Sequence, residues 1–408
     1  RKLFLIMKNH LGLVLVLVLV IGLRTQVEAQ VSVPSFGKGI QFTAADSSFY
    51  LRLGFRFQTL FTNEWDASGP GLSGLGNHES AFFVRRSRIK LDGWAINKNL
   101  KYKAELALSN RDNGGGNSDN FSNAANIILD AFAEYTFTSG LAIRAGQFKL
   151  PGNRERVISS GNLQFVDRSR LNSRYTLDRD VGIMLTNTHK LGSDFIVKEM
   201  VAVTSGEGKN VTSGNIGGYG YSFRLEGLPF GSFQSKGDYV GSAIKFEESP
   251  KLAVGLTYDF NNRAGRLRGQ LGEFITDETN LKNINSYFID LMYKHKYLSI
   301  MAEYAHRTTE DDDPNVFDAN DQVIGTYFVG SGFNLSAGYI LPKTWELALR
   351  YTTIDPQEGV ANDEERYTLG LSKYVVGHKL KIQTDITYRL IDNSTNELIY
   401  RVQMDFHF

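Results

Sequence analysis

The sequence predicts an all-β fold, a transmembrane antiparallel β-barrel of sixteen strands, from three observations. The closing residues put Leu398, Tyr400, Val402, Met404, Phe406 and Phe408 on one face of a strand, and Ile399, Arg401, Gln403, Asp405 and His407 on the other. Side chains alternate along a strand, so a strand between lipid and water needs this two-sided pattern. The composition agrees: 40 Gly, 19 Tyr and 27 Phe stand beside 8 Pro, and no long apolar run follows the first thirty residues. That mixture suits alternating strands bordered by aromatic girdles. The third observation is that connections along the chain are long and short in turn.

At the N-terminus, Leu11 to Leu23 is an unbroken apolar run of thirteen residues, preceded by Lys8 and followed by Val27-Glu28-Ala29. The run is short for a membrane helix, and the small residues flanking Glu28 fit a signal-peptidase site before Gln30. Residues 1–29 are expected to be a cleaved signal peptide starting naturally at Met7, residues 30–49 a short periplasmic segment, and residues 50–408 the barrel domain. The sequence has no cysteine, which excludes a lipobox, disulfides, thiolate metal sites and Cys nucleophiles. An exported chain without disulfides points to a bacterial envelope rather than a eukaryotic secreted domain, and the barrel pattern places it in the outer membrane of a Gram-negative bacterium. Charge is balanced, 45 Lys+Arg against 44 Asp+Glu, so ionic selectivity must be local.

Period-two segments separated by Gly, Asn and Asp clusters read as strands near 50–62, 81–95, 99–109, 126–137, 140–148, 180–190, 193–204, 219–228, 251–260, 285–295, 297–308, 323–341, 344–353, 365–374, 377–390 and 397–408. Connections after odd strands are long except the last, residues 391–396, whereas those after even strands include Thr138-Ser139, Leu191-Gly192, Pro342-Lys343 and Val375-Val376. Outer-membrane barrels alternate external loops with periplasmic turns in this way. Residues 229–250 break the pattern. The reading that leaves both termini in the periplasm folds this segment over the periplasmic mouth and treats residues 326–341 as one strand.

In the second strand Val84, Arg86, Arg88, Lys90 and Asp92 share a face; in the third, Lys101, Lys103 and Glu105; in the fifteenth, Lys379, Lys381, Gln383, Asp385, Thr387 and Arg389. A charge on the lipid face costs ~2–4 kcal/mol near the midplane, so these faces line the lumen. The longest odd connection carries Lys149, Arg154, Arg156, Arg168, Arg170, Arg174 and Arg179 against Glu155, Asp167 and Asp178. Guanidinium groups stay charged and present forked donors that suit phosphate and other oxyanions. Folded into a low-dielectric lumen, such a loop concentrates anions and repels cations. The expected anion path and constriction comprise Arg86, Arg88, Lys90, Arg154, Arg156, Arg168, Arg170, Arg174 and Arg179. In the competing reading these arginines pair with wall carboxylates such as Asp130, Glu134 and Glu105 and pin the loop.

The segments FFVRRSRIKLDG (Phe82 to Gly93), AGQFKLP (Ala145 to Pro151) and VDRSR (Val166 to Arg170) resemble the phosphate-selective porin O and P family. Pro250 to Asn261 and Trp345 to Tyr351 are similar to its versions in Bacteroidetes-type bacteria. The resemblance implies a sixteen-stranded, often trimeric outer-membrane channel with an inward-folded third extracellular loop, here Lys149 to Arg179. It also implies basic pore residues among Arg86, Arg88, Arg154, Arg156, Arg168, Arg170 and Arg174. The chain departs from the family in the acidic residues of that loop and in lacking an extended N-terminal heptad region.

The expected activity is passive diffusion of small hydrophilic solutes, preferring anions such as phosphate, with outer-membrane lipid and a homotrimer as surroundings. No cofactor, metal or nucleic-acid partner is expected. The alternative is a structural or secretion-associated barrel with a bound partner and little conductance, although residues 30–49 are too few to form a plug. Against an enzyme, His78, His189, His295, His306, His378 and His407 are scattered, and neither G-x-S-x-G nor H-E-x-x-H occurs. Glu303 and His306 fall on opposite strand faces. The acidic run Glu310-Asp311-Asp312-Asp313 reads as a solvated outer loop rather than a cation site.

Overall fold

The computed structural model describes residues 29–32, 35–68, 74–109, 112, 126–212 and 214–408, so the expected signal peptide and its Met7 start lie outside the described residues, Ala29 apart. Two short antiparallel strands come first, β1 (Ala29–Ser32) and β2 (Ile40–Ala44). The barrel starts with the long hairpin of β3 (Phe49–Ala67) and β4 (Leu75–Ala95), then β5 (Asn97–Ala107), β6 (Ile128–Thr136) and β7 (Ala142–Lys149). The third long loop follows with two short helices, α1 (Arg154–Val157) and α2 (Arg170–Tyr175). Next come β8 (Arg179–Leu191), β9 (Phe195–Thr204), β10 (Gly220–Leu228), β11 (Glu247–Asn261), β12 (Ile284–Lys296) and β13 (Leu298–Thr309). A small hairpin, β14 (Asn315–Phe317) and β15 (Val323–Thr326), stands apart from the barrel sheet. The wall resumes with β16 (Gly330–Leu341), β17 (Trp345–Pro356), β18 (Glu364–Tyr374), β19 (Leu380–Ile391) and β20 (Asn396–His407).

Successive wall strands pair antiparallel, and β20 closes on β3 from Asn396 opposite Ala67 to His407 opposite Arg56, giving a closed 16-strand barrel. The chain end seals the joint: the Phe408 N–H donates to the Phe55 carbonyl at 2.9 Å and the Phe55 N–H returns a bond to Phe408 at 3.2 Å. Below that point β2 takes over the same edge of β3, with Ile40 opposite Leu53. Closure leaves few unpaired backbone groups along the wall, which a bilayer demands. Outward residues such as Phe223, Leu225, Ile289, Leu349, Leu369 and Ile386 are exposed and apolar. Cross-strand aromatic pairs stand among them, Tyr258–Tyr287 and Tyr351–Tyr367 each with ring centres 5.1 Å apart. Charged Arg224, Glu226, Asp290, Lys381 and Asp385 point the other way and are buried inside the barrel.

Three expectations need correction. Residues 326–341 are not one strand: the chain leaves the sheet at Tyr327 and Val329, whose buried side chains pack with Ala264, Ile275, Leu281 and Ile284 in an external cap. The run Tyr327-Phe328-Val329 joins the apolar pattern on either side of the break and hides it from a pattern-based reading. Val84 does not face the lumen. A β-bulge sets Gln58 opposite Arg86 and Thr59 opposite Val84, and the additional residue turns Val84 outward and lets Arg85 reach Asp167 inside. Finally, the 229–246 segment joining β10 to β11 enters the barrel rather than covering its mouth: Gly237, Asp238 and Ala243 are buried, and the Gly241 N–H reaches the Asn162 carbonyl at 2.8 Å.

Candidate functional site

The third loop, residues 150–178, lies against one side of the wall. Its first helix meets β12, and its second packs on β13, β16 and β17. Backbone and side chains are tied to the wall by Glu303, which accepts from the Glu155 N–H at 2.7 Å, by Glu346, which accepts from Gln164 Nε2 at 2.8 Å, and by Lys381, which donates to the Leu163 carbonyl at 2.9 Å. Apolar contacts add to these. Ile158 and Leu163 sit with Leu228, Ala253, Met292 and Met301, while Leu171, Tyr175 and Leu177 sit with Phe288, Ala305 and Ile354. Each fully buried Leu, Ile, Phe or Met side chain among these contributes ~1.5–3 kcal/mol. Lumen-facing glycines make the close approach feasible: a Cβ at Gly370 would lie 2.9 Å from the Phe165 ring, and one at Gly338 would overlap Gln164.

Because the loop fills that side, open space remains between it and the β3–β9 side, as two cavities. The cavity at the turn end has a volume of about 600 Å³ and reaches from Lys38, Arg52 and Lys379 up to Leu150, Val157 and Asn162 of the loop. Its lining side chains include eleven Lys and Arg against four Asp and Glu. The cavity at the loop end, about 260 Å³, is lined by Arg85, Arg86, Arg88, Arg156, Arg168, Arg179 and Lys209 against Asp112, Asp167 and Asp178. Arg88 and Arg179 line both, so they stand where the two spaces meet.

The nine residues singled out in the sequence divide by position. Arg86, Arg88, Arg156, Arg168 and Arg179 converge on the loop-end cavity, and Lys90 lines the turn-end cavity, 3.3 Å from Asp92. Arg86 bonds Gln58 and lies 3.4 Å from Asp167; Arg88 bonds Asp112 at 2.7 Å and Glu105 at 2.9 Å; Arg179 bonds Asp130 at 2.7 Å. Arg156 pairs with Asp178. Arg168 differs, donating to the main-chain carbonyls of Glu155 at 2.9 Å and Ile158 at 2.7 Å. Arg154, Arg170 and Arg174 line neither cavity. Arg154 is buried between Asp290 at 3.0 Å and Glu226 at 3.3 Å, Arg170 pairs with Glu364 at 2.9 Å, and Arg174 rests 5.0 Å from the centre of the Phe328 ring. Of the anticipated wall partners, Asp130 takes Arg179, whereas Glu105 pairs with Arg88 and Lys103 of the wall itself and Glu134 with Arg144 from the neighbouring strand, so neither of these pins the loop.

Sequence reasoning missed Arg85, which lies 2.8 Å from Asp167. The available signal was an arginine on the face that strict alternation assigns to lipid, a cost that a bulge removes. It also missed Lys209, which comes from the loop after β9. Burial, reinforced by Arg179, Arg156 and Arg88, pushes its ammonium down to about 8. The acidic run at 310–313 is held by Lys282, 2.8 Å from Asp311 and 3.2 Å from Asp313. Among the described residues no group of three His, Asp or Glu is placed to hold a metal.

Residues 57–408 match the family described as phosphate-selective porin O and P. An uncharacterized protein of Aquifex aeolicus (strain VF5) is 24% identical over 366 residues, 81% of each chain. Among solved structures, Salmonella typhi OmpF in complex with daunomycin superposes with a TM-score of 0.55 at 15% identity, covering 88% of this chain and 98% of that one. The anion-selective porin from Comamonas acidovorans gives 0.53 at 12% identity, covering 88% and 100%. At these identities the likeness to the solved structures is one of fold.

Proposed function

The chain belongs to the phosphate-selective porin O and P family and is an outer-membrane porin; from that premise we propose that it passes small hydrophilic anions, phosphate and other oxyanions among them, by passive diffusion. The observation that carries this reading is the excess of cationic side chains in both cavities and their junction at Arg88 and Arg179. An anion leaving the external side would meet Arg85, Arg86 and Arg168, pass Arg88, Arg156 and Arg179, and emerge among Lys90, Lys103 and Lys149. Guanidinium forks replace part of its hydration shell along the first two steps and lysine ammoniums receive it as point charges at the last, while the crowding of like charge keeps cations out. No chemical step is involved. Arg154 and Arg170 act in this scheme as anchors of the loop, and Arg174 lies off the path.

The deciding experiment is the reversal potential of the refolded barrel in a planar bilayer under a KCl gradient, followed by phosphate titration of the same channels. A chloride-selective potential with phosphate block is expected. Cation preference would refute the proposal, and absence of conductance would favour a structural barrel. A homotrimer, implied by the family resemblance, belongs to the same proposal; light scattering of the detergent-solubilised protein tests it, and a monomeric mass would refute it.

A further inference from the structure

The inward-turned segment between β10 and β11 has no counterpart at the other turns, which are short, and its contacts are specific. Lys294 of β12 donates to the carbonyls of Gly237, Val240 and Ser242 at 2.8, 2.7 and 2.7 Å, drawing three peptide groups of the segment onto one ammonium. Phe233 joins Ile158 and Leu163 of the third loop in one apolar cluster. The Gly241 N–H donates to the Asn162 carbonyl at 2.8 Å, and the Asp238 carbonyl lies 3.4 Å from Arg154. The segment thus touches the first residue of α1 and the stretch that follows it, α1 being the short helix that carries Arg156 into the loop-end cavity.

We propose that this periplasmic segment is a latch that positions the constriction loop from below, so that Lys294 and Gly241, which line neither cavity, determine where Arg156 stands in the pore. The inference rests on the porin reading. The wall also holds the loop, at Asp290, Glu226 and Glu303 for the start of α1 and at Glu346, Asp385 and Glu364 for the remainder, so loss of the latch leaves the barrel and these anchors in place and lets only the end of α1 and the residues up to Asn162 shift. A periplasmic element that sets the bore also gives the channel a handle on the side opposite its external mouth. Two packings of the end of α1 and the residues after it, latched and unlatched, suffice to produce discrete conductance levels.

Two variants loosen the latch from different ends. Lys294→Met removes the ammonium that gathers the three carbonyls. Gly241→Ala places a Cβ 2.8 Å from the Gln164 main-chain nitrogen, closer than real contacts allow, and lifts the segment off the loop. Gln234→Ala, on the exposed part of the segment, is the control. Heat-modifiable electrophoretic mobility reports barrel closure, and single-channel recording in a planar bilayer reports the bore. With barrels that migrate as wild type, both latch variants are expected to show additional conductance levels and an anion-to-cation permeability ratio changed by at least about twofold, the order set by moving one charge in a constriction. Gln234→Ala should match wild type. If one latch variant fails to fold, the other decides. Conducting wild-type channels with indistinguishable latch variants would overturn the latch alone, whereas a wild-type barrel without conductance would overturn the porin reading and the latch with it.

Discussion

Replacing Arg168 by Met separates an arginine on the anion path from one that only anchors the loop. Arg168 lines the loop-end cavity, and its bonds go to two carbonyls, so its charge is not cancelled by a bonded carboxylate. A space of about 260 Å³ is equivalent to a sphere of ~4 Å radius, which sets how close a centred anion lies to the wall. At that distance one unit charge contributes ~1 kcal/mol in a medium like bulk water and ~4 kcal/mol at an effective dielectric constant of 20. The lower figure already corresponds to about fivefold in anion occupancy. The chloride-to-potassium permeability ratio from the reversal potential should therefore fall at least about fivefold in R168M at low salt, and less at high salt where screening is strong. R170M removes the same charge from the same loop, but Arg170 lines neither cavity and its partner Glu364 keeps Arg366 and Arg389. Its ratio should stay within experimental error of wild type. An unchanged potential in R168M, or an equal drop in R170M, would refute the division between path and anchor.

The remaining predictions concern charge state, register and anchoring. Lys209 is pushed down to about 8, so it is protonated below that pH and neutral above it; anion selectivity should fall between pH 7 and pH 9 and the step should vanish in K209R, as read from reversal potentials. The bulge places Arg85 inside and Val84 outside; in this cysteine-free chain R85C should react with a membrane-impermeant charged thiol reagent and V84C should not, and the opposite pattern would mean an unbroken register. Glu364 gathers Arg170, Arg366 and Arg389 within 2.9 Å, and Arg389 alone keeps a second carboxylate, Glu397 at 2.8 Å; E364Q leaves Arg170 and Arg366 without one and should lower barrel stability by up to about 3 kcal/mol, seen as a lower temperature for the heat-modified mobility shift.

The wall was legible because lipid and water enforce the same rule on every strand. Leu398 to Phe408 shows it in its simplest form, and the closing contact of Phe408 with Phe55 follows from it. Strand edges failed where apolar residues were placed for another reason: Tyr327 and Val329 extend the apolar pattern of β16 toward its start, yet they are buried in the external cap rather than in the wall. At Arg85 the rule itself was broken, and an arginine on the lipid side was the visible trace of the bulge. The inward path of residues 229–246 left only its length as a signal, because the groups that hold it, Lys294 above all, lie on a strand whose alternation reads the same whether its ammonium meets water or three carbonyls.

The arginines of the third loop could be seen in the sequence but not sorted, and the reason is distance along the chain. Arg170 meets Glu364, Arg154 meets Asp290, and Asn153 meets Glu303, partners 194, 136 and 150 residues away. Which arginines are neutralised depends on which side of the wall the loop chooses, and that choice is made by residues without charge. Gly338 and Gly370 open the lumen face of β16 and β18, and Met292, Met301, Phe288 and Ala305 offer apolar surface inside what is otherwise a polar bore. Glycine and methionine on the water side of a transmembrane strand are as informative as the arginines, since a wall without polar side chains must be covered by something. Covering it on the β11–β18 side leaves the other side open, and there Arg56, Arg88, Lys103 and Arg144 already stand on the strands. The basic path is consequently a property of the uncovered wall as much as of the loop: shifting the loop by substituting its apolar docking surface, for example with Gly370→Leu, should alter selectivity without touching any charge. A G370L barrel that folds and keeps the wild-type reversal potential would refute this dependence of selectivity on where the loop lies.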